Sequence, residues 1–163
     1  MKTTHIAAIV LAVIVAGAIA GISLINKGSN NEKDIDKTEF GTITMFKSPT
    51  CGCCGVYSQY LNKRDFSVNI ISIPDAELAN LKNKDEIPAQ LRSCHTMTIG
   101  DYFVEGHIPA EAIEKLMTEK PNIKGIAMPG MPSGSPGMPG GKTGDFVIYA
   151  VNNDGSFQEF MRV

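Results

Sequence analysis

Tryptophan is absent from this 163-residue chain, and aromatic residues make up only 7% of it. Any core it builds is therefore mostly aliphatic. Net charge is nearly absent too: 15 basic against 17 acidic side chains leave a formal −2, with the two signs mixed along the chain. That mixture excludes a nucleic-acid groove or an electrostatic membrane patch, each of which needs one sign gathered on one face. Hydrolytic and phosphoryl-transfer machinery is missing as well. The run GMPSGSPG, from Gly130 to Gly137, is not followed by Gly-Lys-Ser/Thr opening a helix. Gly140-Gly141-Lys142-Thr143 ends like a phosphate loop but has neither the strand nor the spacing upstream. Cysteine is scarce, four in all, yet Cys51, Cys53 and Cys54 fall within four consecutive positions of SPTCGCCG.

What is present begins with an uncharged stretch from Ile6 to Ile25, apolar or small except Ser23. Twenty helical residues rise about 30 Å, the thickness of a hydrocarbon core. Residues 1–25 therefore read as a signal anchor, or as a signal peptide cleaved after Ala18-Ile19-Ala20, and His5 belongs to that segment. The apolar run continues through Ile22, Leu24 and Ile25, which favours the anchor. With Lys2 held inside, the remainder is exported to the periplasmic or extracytoplasmic face, although Lys27 and Lys33 reduce the asymmetry. Residues 26–39 are polar and without apolar period, a tether. Residues 40–163 form the domain.

Within it, Thr42–Lys47 alternates as a strand, and the segment after SPT turns into a helix with Thr50 as N-cap and Val56, Tyr57, Tyr60 and Leu61 recurring at helical spacing. Ser67–Ile73 is a second strand. A short helix follows with Asp75 as cap and Leu78 and Leu81 inward. Pro88 opens a turn, two short strands flank Gly100-Asp101, and a helix with Pro109 in its first turn turns Ile113, Leu116 and Met117 to a core. Gly125–Gly144, dominated by Gly, Pro, Met and Ser, reads as a loop throughout. Phe146–Val151 and Phe157–Arg162 make a terminal hairpin around Asn152–Gly155. The fold class is α/β. The order strand, helix, strand, helix, strand, strand, helix resembles the thioredoxin and glutaredoxin fold, cysteine motif between first strand and first helix included.

An exported compartment is oxidising, so thiols there are bridged or are kept for a task such as metal binding. Neighbouring Cys53 and Cys54, with Cys51 two or three residues away, close loops too short for two efficient structural bridges. At a helix N-terminus a thiolate is stabilised, and it is both a nucleophile and a soft ligand. Overlaying the thioredoxin-like pattern puts His95 near the position of that fold's usual cis-proline, with Cys94 just before it. The candidate metal ligands are thus Cys51, Cys53, Cys54, Cys94 and His95, a set suited to copper(I), with zinc or an iron–sulfur cluster as alternatives. His107, in EGHIPA, reads chiefly as part of the entry to the last helix. Met128, Met131 and Met138 each precede proline and read as packing residues before ligands. The alternative to a binding protein is a thiol–disulfide oxidoreductase in which Cys51 attacks and Cys54 resolves.

The motifs SPTCGCCG, LRSCHT, FVEGHIPAEAIEKL and KGIAMPGMPSGSPGM together resemble the small exported proteins grouped as domain of unknown function four-eleven. That resemblance, from Thr42 to the C-terminus, implies a thioredoxin-like domain with metal binding, copper handling in some members. It carries the thiol motif onto Cys51, Cys53 and Cys54, and the Cys-His pair onto Cys94 and His95. Apart from the resemblance, an open sulfur-rich site at a helix end would exchange its ion with a partner, expected to be a membrane or periplasmic copper protein. Family members often carry a tryptophan shortly after the cluster, where Val56 and Tyr57 stand here.

Overall fold

The computed structural model describes residues 36–163. The expected anchor or signal peptide and most of the polar tether lie outside the described residues. Among those described, no helix is long and apolar enough to cross a membrane. Lys37–Phe40 forms a 3-10 turn capped by the Asp36 side chain. Lys37 Nζ ties it to the domain, 2.8 Å from Glu114 Oε1 and 2.9 Å from the Arg64 carbonyl.

The domain is mixed α/β, a seven-stranded sheet with flanking helices. Its strands are β1 (Thr42–Lys47), β2 (Ser67–Ser72), β3 (His95–Ile99), β4 (Tyr102–Glu105), β5 (Gly125–Ala127), β6 (Val147–Val151) and β7 (Phe157–Arg162), in the order β2-β1-β3-β4-β5-β6-β7. Helices α1 (Cys53–Asn62), α2 (Asp75–Lys84) and α3 (Ala110–Glu119) connect them. Strand β1 runs parallel to β2 through α1, and β4 parallel to β5 through α3; the other neighbours are antiparallel. Alternation along the strands sorts side chains onto two faces. One face carries Ile43, Met45, Met97, Ile99, Val104, Ile126 and Ile148, covered by Tyr57 and Leu61 of α1 and Ile113 and Leu116 of α3. The other carries a smaller cluster of Phe103, Ala127 and Val151 with Ile87 and Leu91. Both clusters are built without tryptophan, as the composition requires.

Several expectations need correcting. Gly125–Ala127 is not loop but a fully buried central strand, the link through which the terminal hairpin joins the sheet. Three residues are too few to show a period, and Gly and Ala carry little strand signal. Thr50 does not cap α1: the helix starts at Cys53 behind Gly52, while the Thr50 hydroxyl bonds Ser48 Oγ at 2.9 Å. Asp75 is the first residue of α2, with Pro74 in the cap position. Leu81 is only half-buried; the residue that α2 buries beside Leu78 is Lys82.

Gly125 is required by space. A Cβ there would collide with the Phe103 carbonyl oxygen and ring, both on the neighbouring strand. Gly125→Ala is expected to destabilise the domain by about 1–3 kcal/mol, the usual cost of overpacking. The check is a lowered urea midpoint at unchanged slope. Gly141→Ala, where a Cβ meets nothing within 4 Å, is expected to stay within about 0.5 kcal/mol of the parent.

Candidate metal centre

Three short segments converge at the α1 end of the sheet. Cys51 precedes α1, and Cys53 and Cys54 are its first two residues. Cys94 immediately precedes β3, and His95 opens it. His107 lies between β4 and α3. The sheet register explains the meeting. Thr96 pairs with Glu105 across the β3–β4 hairpin, and two further steps in that register bring Cys94 opposite His107. Lys47 at the end of β1 pairs with His95, so the loop from β1 into α1 falls beside the same point.

The sulfur of Cys94 is the hub. It lies 3.9 Å from Cys53 Sγ, 3.7 Å from Cys54 Sγ, 3.5 Å from His95 Nδ1 and 3.5 Å from His107 Nε2. Cys51 Sγ is 3.7 Å from Cys53 Sγ, and Cys54 Sγ is 3.6 Å from His95 Nδ1. The four sulfurs lie within 4.8 Å of one another, and so do the donor atoms of Cys94, His95 and His107. Metal–sulfur bonds of about 2.3 Å at tetrahedral angles hold sulfurs about 3.8 Å apart. The Cys51–Cys53, Cys53–Cys94 and Cys54–Cys94 spacings match that figure. The donor set therefore fits a soft ion. All five expected residues meet here, and His107, expected only to help enter a helix, joins them.

Cys51 and Cys54 are joined as a disulfide, leaving Cys53 and Cys94 as free thiols. Cys54 is fully buried, and the other three are half-buried. A cleft of about 400 Å³ opens on Cys51 and Cys94 between Thr50, Leu78, Lys82 and Arg92. It is the approach to the sulfurs from solvent.

Protonation follows from burial. The Cys94 thiol is pushed up to about 11, first by desolvation and then by the neighbouring Cys53. It holds its proton at neutral pH. His95 is pushed down to about 3 by desolvation, then by the neighbouring His107 imidazole and the Lys82 ammonium. His107 is lowered by desolvation, against the pull of the Pro136 carbonyl. Both imidazoles are thus neutral and able to donate a lone pair. His107 Nδ1 donates to Pro136 O at 2.6 Å, which turns a bare Nε2 to Cys94. His95 Nε2 is buried without a partner. Behind the rings stands Tyr57, its centroid 5.2 Å from His95 and 4.9 Å from His107, its hydroxyl donating to Ile108 O at 2.8 Å.

The Gly/Pro/Met loop pins this arrangement. Gly137, at φ +78°, packs so closely on α1 that a Cβ would sit 2.8–2.9 Å from Tyr57 backbone atoms. The neighbouring Pro136 thereby reaches His107. Met128 is buried in the larger core cluster, while Met131 and Met138 are half-buried.

His95 makes the fold sensitive to acid. The unfolded chain's imidazole takes up its proton near pH 6.5 and the folded one only near pH 3. Between those values the unfolded state binds more protons, so stability falls as pH falls. In metal-free protein the urea midpoint is expected to drop more steeply from pH 6.5 to 4 in the parent than in His95→Gln. Parallel pH profiles would show that His95 is not held neutral.

Comparison with known proteins accords with this geometry. A family model described as "Protein of unknown function, DUF411" matches residues 91–138, the span holding Cys94, His95, His107 and most of the Gly/Pro/Met loop. Among curated protein sequences none matches. Two solved structures are similar: the copper resistance protein copG in form 1, at 32% identity and TM-score 0.68, covering 75% of this chain and 96% of that one; and the same protein in form 2, at 32% identity and TM-score 0.67, covering 75% and 97%. A likeness that takes in nearly all of a relative's length, and a family match that includes the segment bringing Cys94, His95 and His107 together, place this chain in the DUF411 family.

Proposed function

We propose that this protein binds copper(I) as cargo at the extracytoplasmic face, either passing it on or sequestering it, with residues 1–25 as its anchor or export signal. The observation that carries the reading is the convergence of four sulfurs and two neutral imidazole nitrogens around Cys94. Soft thiolates with imidazole suit copper(I), and zinc or an iron–sulfur cluster are the competing occupants. Cys51, Cys53, Cys54, Cys94 and His95 are the ligand set, with His107 added to it. The names of the two similar structures support copper over the alternatives. The run β1–α1–β2–α2–β3–β4–α3, with its cysteine motif where α1 begins, supports a thioredoxin-like origin for the site.

Full ligation requires reduction of the Cys51–Cys54 bond. An external dithiol supplies two electrons and two protons, becomes a disulfide itself, and leaves four thiols in the pocket. Each ligating thiol then gives up its proton to solvent. A cation entering by the cleft at Cys51 and Cys94 meets half-buried sulfurs first and buried imidazoles last. The Cys51–Cys54 disulfide also favours a second reading, a thiol–disulfide oxidoreductase with Cys51 as attacking and Cys54 as resolving thiol.

Anaerobic competition between the reduced protein and a copper(I) chelator tests the first reading. Cys94→Ser removes the hub and is expected to weaken binding more than about tenfold, the equivalent of 1.4 kcal/mol. A Cys51→Ser, Cys94→Ser variant that competes as well as the parent would end it. Sustained turnover in an insulin-reduction assay, lost in Cys54→Ser, would favour the enzyme instead.

A further inference from the structure

Helix α2 is polar along most of its length, yet it buries a lysine. Lys82 is 4% exposed, on the face of the helix shared with Leu78, where an apolar residue would be ordinary. Its partner Glu105, the last residue of β4, is fully buried. Lys82 Nζ lies 2.5 Å from Glu105 Oε1, 2.7 Å from Ser93 O and 3.3 Å from His95 O. Glu105 Oε1 also accepts from the Ser93 backbone N–H at 2.5 Å. The three ammonium donors are thus spent on the carboxylate and on the two carbonyls that bracket Cys94. Ser93 is held at both its N–H and its carbonyl.

The placement is specific. By strand alternation, Glu105 lies on the sheet face of Phe103, while His95 lies on the face of Met97 that α1 covers. The pair therefore grips the backbone of residues 93–95 from behind while Cys94 and His95 present donor atoms to the cysteines of α1. Glu105 is also two residues before His107, so the same carboxylate anchors the strand that delivers the second imidazole. A buried ion pair is a poor source of stability compared with an apolar pair of similar volume, which points to a use in fixing geometry.

We infer that Lys82 and Glu105 are positioning residues for the metal centre: they hold Cys94, His95 and His107 at ligand spacing before any ion arrives. Neither residue touches the ion; they act through the Ser93–His95 backbone. The inference rests on the copper(I) reading for its consequence, though the grip of Lys82 and Glu105 on residues 93–95 belongs to the fold itself.

Two measurements test it. The first is amide hydrogen exchange in the full reduced parent protein, with and without copper(I). Ser93 is expected to exchange slowly in both states, like the β3 amide of Met97. Fast exchange at Ser93 in the metal-free protein, slowed only on loading, would overturn the inference, and no variant is needed to see it. The second compares the Lys82→Met, Glu105→Leu variant with Glu105→Gln, which keeps an acceptor for Lys82 and Ser93. The double variant is expected to fold, to bind copper(I) at least tenfold more weakly against a chelator, and to lose the copper-dependent shifts of the His95 and His107 ring nitrogens in nitrogen-15 spectra. Glu105→Gln is expected to retain those shifts. A folded double variant with parental affinity and parental histidine shifts would overturn it. If the double variant does not fold, the exchange result decides alone. If the parent itself fails to bind copper(I), the proposed function falls, while the exchange experiment still reports on preorganisation.

Discussion

Everything at this site depends on the register of the β3–β4 hairpin. The turn at Gly100-Asp101 fixes which residues face each other, and with Thr96 opposite Glu105 the hairpin's open end sets Cys94 against His107. A slip of one residue would send His95 to the opposite face of the sheet and move Cys94 away from the cysteines of α1. The register is secured on both faces, by the buried pair Met97 with Val104 on one and by the buried Phe103 opposite half-buried Thr98 on the other. A hydrophobic pattern thus places polar donor atoms to within a few ångströms.

The site is also a burden on the fold. Two neutral histidines and an ion pair are buried where apolar residues would serve stability better. His95 Nε2, Thr96 Oγ1 and Glu105 Oε2 are left without hydrogen-bond partners. The core answers with the larger cluster of aliphatic side chains under α1 and α3, and with the loop that lays Gly137 and Pro136 against α1 and His107. The Cys51–Cys54 disulfide takes two of the four sulfurs out of play. Thiol status and ligand number are therefore linked by covalent chemistry alone.

Much of this was legible in the sequence. The alternation in Thr42–Lys47, the turn signal at Gly100-Asp101 and the terminal hairpin appear where local pattern placed them, because each is decided by near neighbours. The meeting of Cys94 and His95 with the early cysteines was reachable only by overlaying a known fold. His107 was undervalued for want of one step: the hairpin centre, once assigned, already paired position 94 with position 107. Strand β5 escaped because Gly125-Ile126-Ala127 is strand by virtue of its neighbours, with a glycine demanded by Phe103. Lys82 escaped because a lysine on a polar helix reads as solvated, and only the distant Glu105 and Ser93 make its burial tolerable.

The central claim is that Cys94 joins a sulfur group and an imidazole group into one centre. X-ray absorption at the copper edge, on reduced protein loaded anaerobically with copper(I), tests it most directly. A first shell of sulfur is expected together with outer-shell scattering from imidazole, the imidazole signal disappearing in the His95→Gln, His107→Gln variant. A shell of oxygen and nitrogen without sulfur, or an outer-shell signal unchanged in that variant, would contradict it.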